Sequence, residues 1–181
     1  LREGAEVLFG STHKSLYGPQ GGIILTDSSE HAEALRRFLE IDLKTGIGLV
    51  DNPHVNRIAG LGVALEEMLE DRSYGSRVVK NAKALAHALD ELEVPVRFKE
   101  RGYTESHQVL LDLEARLAEK LCHDLESIGI FIDEGGRLGV AECTHRGMGV
   151  REMREIALVV GEAYAKGARS RLRTRVRNLM S

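Results

Sequence analysis

Short apolar runs alternating with segments of helical periodicity predict an α/β protein. Two further observations narrow the class. The 181 residues are 43% hydrophobic yet carry only four Phe, four Tyr and no Trp, so the core must rest on Leu, Ile, Val and Ala. No apolar run approaches membrane-spanning length, and no charged-then-apolar targeting segment is visible at the start of the sequence.

The elements follow in order. Val7-Leu8-Phe9 and Gly22-Ile23-Ile24-Leu25-Thr26 read as short buried strands, and Asp27-Ser28-Ser29 offers caps for a helix over residues 31–39. Lys44-Thr45-Gly46-Ile47-Gly48 then breaks the helical pattern into a loop. Ile58, Leu61, Leu65, Met68 and Leu69 recur at helical spacing, as do Val78, Val79, Ala82, Leu85, Ala86 and Leu89. Together they predict a long helical segment over residues 56–90, interrupted near Ser73-Tyr74-Gly75, with the domain boundary inside residues 56–81. Strands are expected at residues 94–98, 107–113, 130–132 and 137–141. Helices are expected at 114–128, ended by Gly129, and at 150–166.

Charge and cysteine usage exclude several function classes. Six cations from Lys166 to Arg177 and no acid occupy the last sixteen residues, leaving a net charge of −9 on the rest. This tail reads as the solvated end of a helix in preference to a nucleic-acid or acidic-partner surface. Cys122 and Cys143 form neither a disulfide framework nor a paired-ligand spacing, which fits a reducing, cytoplasmic compartment and no metal site. Gly18 to Gly22 lack the Gly-Lys-Ser/Thr ending of a phosphate loop, so these glycines are expected to serve a tight turn.

The chemistry is carried by Gly10-Ser11-Thr12-His13-Lys14-Ser15 followed by Gly18-Pro19-Gln20-Gly21-Gly22. A lysine is placed between an apolar run and a glycine-rich turn, where its amine can be held against a cofactor aldehyde as a Schiff base. The string resembles the cofactor-lysine motif of serine hydroxymethyltransferases, a fold-type I pyridoxal phosphate family. Similar segments continue in the family's order: residues 53–69 and 78–86, Arg137-Leu138-Gly139, and Thr144-His145-Arg146-Gly147-Met148. The resemblance runs to about Ala165.

It implies a partial large domain of a fold-type I pyridoxal phosphate transferase over residues 1–55, an interdomain helical segment over 56–90, and a C-terminal α/β sandwich small domain over 91–181. Lys14 would hold the cofactor and act in catalysis. His13 is a catalytic and cofactor-binding candidate, with a satisfied structural histidine as its alternative. Ser11 retains a hydroxyl where the family has a threonine near the cofactor. Arg137 matches the arginine that grips the amino acid carboxylate through its bidentate fork, with an exposed strand salt bridge as the other reading.

Three departures separate the chain from the family pattern. Gln20 stands where an arginine is common, Gly48-Leu49-Val50-Asp51-Asn52-Pro53 replaces a glycine-rich segment that in family dimers reaches the neighbour's cofactor phosphate, and the stretch from Ile132 to Arg137 is much shorter than the family's loop. Part of that loop approaches the folate cosubstrate. The sequence also starts at Leu1 with thirteen residues before Lys14, so the expectation is the C-terminal half of a longer enzyme, inactive by itself. The implied reaction is serine–glycine interconversion with a tetrahydropterin carrier, in a homodimer completed by its own N-terminal half. The alternatives are a folate-independent β-hydroxy amino acid aldolase or aminotransferase, and a noncatalytic assembly module.

Overall fold

The computed structural model describes residues 1, 3–40, 42, 44, 48 and 53–180. The expected break at residues 45–47 and the departures at Asp51 and Asn52 lie outside the described residues. The chain divides into two compact units, Leu1–Glu70 and Asp71–Ser181.

In the first unit, β1 (Val7–Ser11) and β2 (Gly22–Thr26) pair antiparallel, with Val7 opposite Thr26 and Ser11 opposite Gly22. The helix α1 (Ser29–Leu39) begins where the capping signal lies. Ser28 is extended and its hydroxyl accepts the His31 N–H at 3.2 Å, satisfying one orphan donor of the first turn. Arg36 and Arg37 occupy the last turn, where cations suit the helix dipole. The helix α2 (Val55–Glu70) lines one face with Leu61, Ala64, Leu65 and Met68, of which Ala64 is fully buried.

The second unit holds the larger core. It opens with α3 (Tyr74–Glu91), which is separated from the preceding helical residues by Asp71–Ser73. Asp71 accepts the backbone N–H and the hydroxyl of Ser73 and pairs with Arg77, stabilising the start of the new helix. A single 3-10 turn (Lys99–Arg101) follows, then β3 (Gln108–Leu110), α4 (Ala115–Ile128), β4 (Arg137–Gly139), α5 (Ala141–His145), α6 (Val150–Lys166) and α7 (Ser170–Leu179). The strands β3 and β4 are antiparallel, with Val109 opposite Leu138 and Leu110 opposite Arg137. Val109 and Leu138 within these strands and Leu111 and Val140 just beyond them are buried, as are Leu85 and Leu89 of α3 and Met153, Ala157 and Val160 of α6. The core is aliphatic, as the composition requires.

Two expected strands do not form. In residues 94–98, Val94 is buried but only Val96 makes a bridge, to Leu111, and Phe98 takes a left-handed φ of +62° that ends extension. Residues 130–132 stay irregular because other groups take their backbone. The Ile130 N–H closes the end of α4 on Leu125 O, and the Ile132 carbonyl accepts from Cys122 Sγ. Their side chains instead line an apolar cavity of about 280 Å³ with Leu85, Leu138, Met153 and Val176. The expected strand at 137–141 stops at Gly139, since Ala141 already begins α5.

The cations of the basic tail are largely exposed, as expected, but most lie on a helix that docks through its other residues. Gly167, at φ +73°, terminates α6, and the cations return on a separate helix. There Leu172 is fully buried, while Arg171 pairs with Glu162 and Arg175 with Glu155 of α6.

Candidate active site

Lys14 sits in the ten-residue connection between β1 and β2, and Thr12 organises that connection. The Thr12 side chain is buried at the foot of the loop. Its N–H donates to Gly21 O at 3.0 Å, its hydroxyl donates to Pro19 O at 2.6 Å, and its carbonyl accepts from Gly18 N–H at 2.7 Å. One residue thus ties both ends of the loop together. Above it, the Tyr17 N–H donates to Lys14 O at 3.1 Å and closes a tight turn.

The loop is also clamped against α2. A Cβ on Gly18 would lie 2.8 Å from Thr12 O and 2.9 Å from Leu61 Cδ1, and one on Gly60 would lie 2.9 Å from Pro19 Cγ. The sequence needs glycine at both positions because backbone and ring approach this closely. Arg57 Nη1 reaches Gln20 O at 3.5 Å. Ser11 is half-buried at the end of β1, and His13 and Lys14 are exposed on the loop. The arrangement presents an amine, an imidazole and a hydroxyl from a base that is itself fixed.

Arg137 belongs to the other unit, at the start of β4. Its Nε lies 2.6 Å from Asp133 Oδ2, and its backbone N–H donates to Asp133 Oδ1 at 3.1 Å. Behind the strand, Asn81 is buried on α3 and donates to Thr144 Oγ1 at 3.0 Å and to Met148 O at 2.8 Å. The Thr144 hydroxyl donates in turn to Val140 O at 2.7 Å, and Tyr74 OH donates to Ala141 O at 3.3 Å. The Asn81 amide nitrogen and the Thr144 and Tyr74 hydroxyls thus each have a partner, and they tie α3 to the start and end of α5.

The cysteines stand apart from these sites. Burial pushes both thiols up from their ordinary value, with Glu126 adding to the effect at Cys122 and Glu142 at Cys143. A raised pKa lowers the thiolate fraction and with it nucleophilicity and metal affinity. Among the described residues no group of three or more His, Cys, Asp or Glu is arranged to hold a metal ion.

The family model for serine hydroxymethyltransferase matches residues 3–160, which takes in both the lysine loop and β4. This chain belongs to the serine hydroxymethyltransferase family. Among curated family members it is 43% identical to a serine hydroxymethyltransferase of Methanocaldococcus jannaschii, with 87% of this chain and 40% of that protein covered. The corresponding protein of Korarchaeum cryptofilum is 38% identical, with 99% and 46% covered. The chain therefore spans less than half the length of these relatives. A solved L-threonine transaldolase from Pseudomonas fluorescens, in its internal aldimine state, superposes with a TM-score of 0.82 at 30% identity, covering 98% of this chain and 42% of that one. The α/β fold is that of a fold-type I pyridoxal phosphate transferase, as the lysine motif implied.

Sequence reasoning passed over two residues of these sites. Thr12 was legible only as part of a motif, since nothing in a hydroxyl's identity says that it will be buried. Asp133 could have been found from its i, i+4 spacing to Arg137 across a Gly-Gly turn.

Proposed function

We propose that this chain is the C-terminal half of a pyridoxal phosphate-dependent serine hydroxymethyltransferase, which interconverts serine and glycine with a tetrahydropterin one-carbon carrier. The observation that carries the reading is a lysine at the tip of a pinned, glycine-clamped loop inside a family match that runs through residue 160. The donor set fits the aldehyde end of the cofactor. Lys14 supplies a primary amine for covalent attachment, while Ser11 and His13 on the same hairpin supply a hydroxyl and an imidazole beside it. When bound, pyridoxal phosphate supplies an electron sink for the carbanion at the amino acid Cα.

This chain's own residues supply attachment, proton movement and orientation. Lys14 Nζ is the group assigned to hold the cofactor and to move the α-proton. His13 serves as a flanking acid–base and cofactor contact, and Ser11 as a hydrogen-bonding one. Arg137 orients the substrate by gripping its carboxylate, a task suited to a planar fork of donors. The groups that hold the ring nitrogen and the phosphate are assigned to sequence upstream of Leu1. The reading carries with it a homodimer in the cytoplasm, with no nucleic-acid role for α7, whose Arg171 and Arg175 are engaged by Glu162 and Glu155. No helix of the described residues is long and apolar enough to cross a membrane.

Borohydride reduction of the complete protein, followed by peptide mapping, tests the assignment. The expected result is a reduced cofactor adduct on Lys14 together with carrier-dependent serine cleavage. An adduct-free complete protein would overturn the Schiff-base reading. The likeness to L-threonine transaldolase and the short turn before Arg137 favour a second reading, aldol chemistry on β-hydroxy amino acids without a pterin. Serine cleavage that is indifferent to the carrier would select it.

A further inference from the structure

Arg137 is held by a carboxylate that is itself fixed. The Asp133 N–H donates to Arg137 O at 3.3 Å, and the Asp133 carbonyl accepts from Gly136 N–H at 3.0 Å. Oδ1 accepts the Arg137 backbone N–H, so the carboxylate is anchored by the turn before its second oxygen meets the guanidinium. Gly136 adopts φ +75°, and a Cβ there would come within 3.3 Å of Leu111 Cβ. The sequence thus favours this turn, and the carboxylate is tied to it through Oδ1 and not to the arginine side chain alone.

A guanidinium offers a carboxylate two edges, one formed by Nε with a terminal nitrogen and one by the two terminal nitrogens. The closest approach of Asp133 is an ion pair at Nε, on the side of the first edge, and Nη1 and Nη2 lie farther from the carboxylate. We propose that Asp133 is a positioning residue for the substrate. It holds Arg137 so that an α-amino acid carboxylate is gripped end-on, by the terminal nitrogens alone. The inference rests on the reading of Arg137 as the carboxylate anchor. Asp133 also offsets part of the arginine's charge, but the side chains are 51% and 39% exposed. Water screens that repulsion, whereas a misaligned fork loses both hydrogen bonds to the substrate at once.

The test is calorimetric binding of glycine and of glycinamide, which lacks the carboxylate, to the complete holoenzyme. In D133N the new Oδ1 still accepts the backbone N–H, so the turn is kept while the ionic hold is removed. The expected result is glycine affinity weakened about three- to tenfold, with glycinamide unaffected and no further loss when D133N is added to R137A. Glycine binding that is unchanged or tighter in D133N, with R137A still weakening it, overturns the positioning role alone. Equal losses for glycine and glycinamide also overturn it, because they mark general damage. If R137A leaves glycine binding intact, the anchor reading fails and the inference fails with it.

Discussion

At Gly18 the lysine loop has no space for a side chain. The added methyl of Gly18→Ala would meet a backbone oxygen, Thr12 O, at 2.8 Å, as well as the more yielding Leu61 Cδ1 at 2.9 Å. The backbone contact cannot be relieved by a rotamer change, and the same carbonyl accepts the Gly18 N–H at 2.7 Å. Gly18→Ala is therefore expected to destabilise the packing of the lysine loop by about 1–3 kcal/mol, measured as a fall in the urea midpoint of the complete enzyme. In the complete enzyme the same substitution should weaken cofactor retention by moving Lys14. A midpoint equal to that of the parent would show that the clamp is not tight. The motif located this glycine and this lysine in the sequence. It did not reveal that the loop hangs on Thr12, because that role depends on which of several adjacent hydroxyls the backbone turns inward.

Among the elements, helices were read more faithfully than strands. The helix α6 coincides with the periodic segment over residues 150–166, and α4 differs only in that Glu114 is its cap. Gly129 ends α4 in the left-handed region at φ +94°, where the absence of a Cβ removes the penalty. Helices are specified by local spacing and local caps, whereas a strand needs a partner along its length; residues 94–98 have one only from Pro95 to Arg97, and residues 130–132 give their backbone to α4. The docking of the tail was illegible for a related reason, since Leu172 stands among exposed cations and the acids that pair with Arg171 and Arg175 lie on α6. Glu162 makes this docking sensitive to pH. Hydrogen bonding to Arg171 lowers its carboxyl below the ordinary value of 4.5. A depressed folded pKa gives stability that is present above 4.5 and is lost as pH falls through the lowered value. Amide exchange in α7 should therefore show added opening as the solution is taken below pH 4.5, after correction for intrinsic exchange rates. Glu162→Gln should show that opening already at pH 7 and respond less to acid. Identical α7 protection in both proteins at pH 7 would show that the Glu162 carboxylate does not hold the helix.

Across the whole molecule, burial is distributed unequally between the two units. In Asp71–Ser181, Leu85, Leu89, Leu111, Leu121, Leu125, Met153 and Leu172 are all fully buried. In Leu1–Glu70 the buried side chains among the described residues are Thr12 and Ala64. Phe9, Leu69, Val55 and Phe38 are 80, 74, 70 and 67% exposed. Burying apolar area yields about 25 cal/mol per Å², while ordering each residue's backbone costs about 1–2 kcal/mol. A unit that buries so few side chains cannot meet that cost, and the satisfied hydrogen bonds of β1 and β2 do not change the balance. Native-state hydrogen exchange on the 181-residue chain should accordingly separate the units. Amides of α3, α4 and α6 are expected to exchange slowly and together, through unfolding of their common core, while those of β1, β2 and α2 exchange through low-energy local opening. In the proposed reading, the upstream half and a second subunit lay further apolar surface on Phe9, Val55 and Leu69, so the same β1 and β2 amides should become protected in the complete enzyme. Equal protection of both units in the 181-residue chain would mean that the lysine loop keeps its shape without that cover.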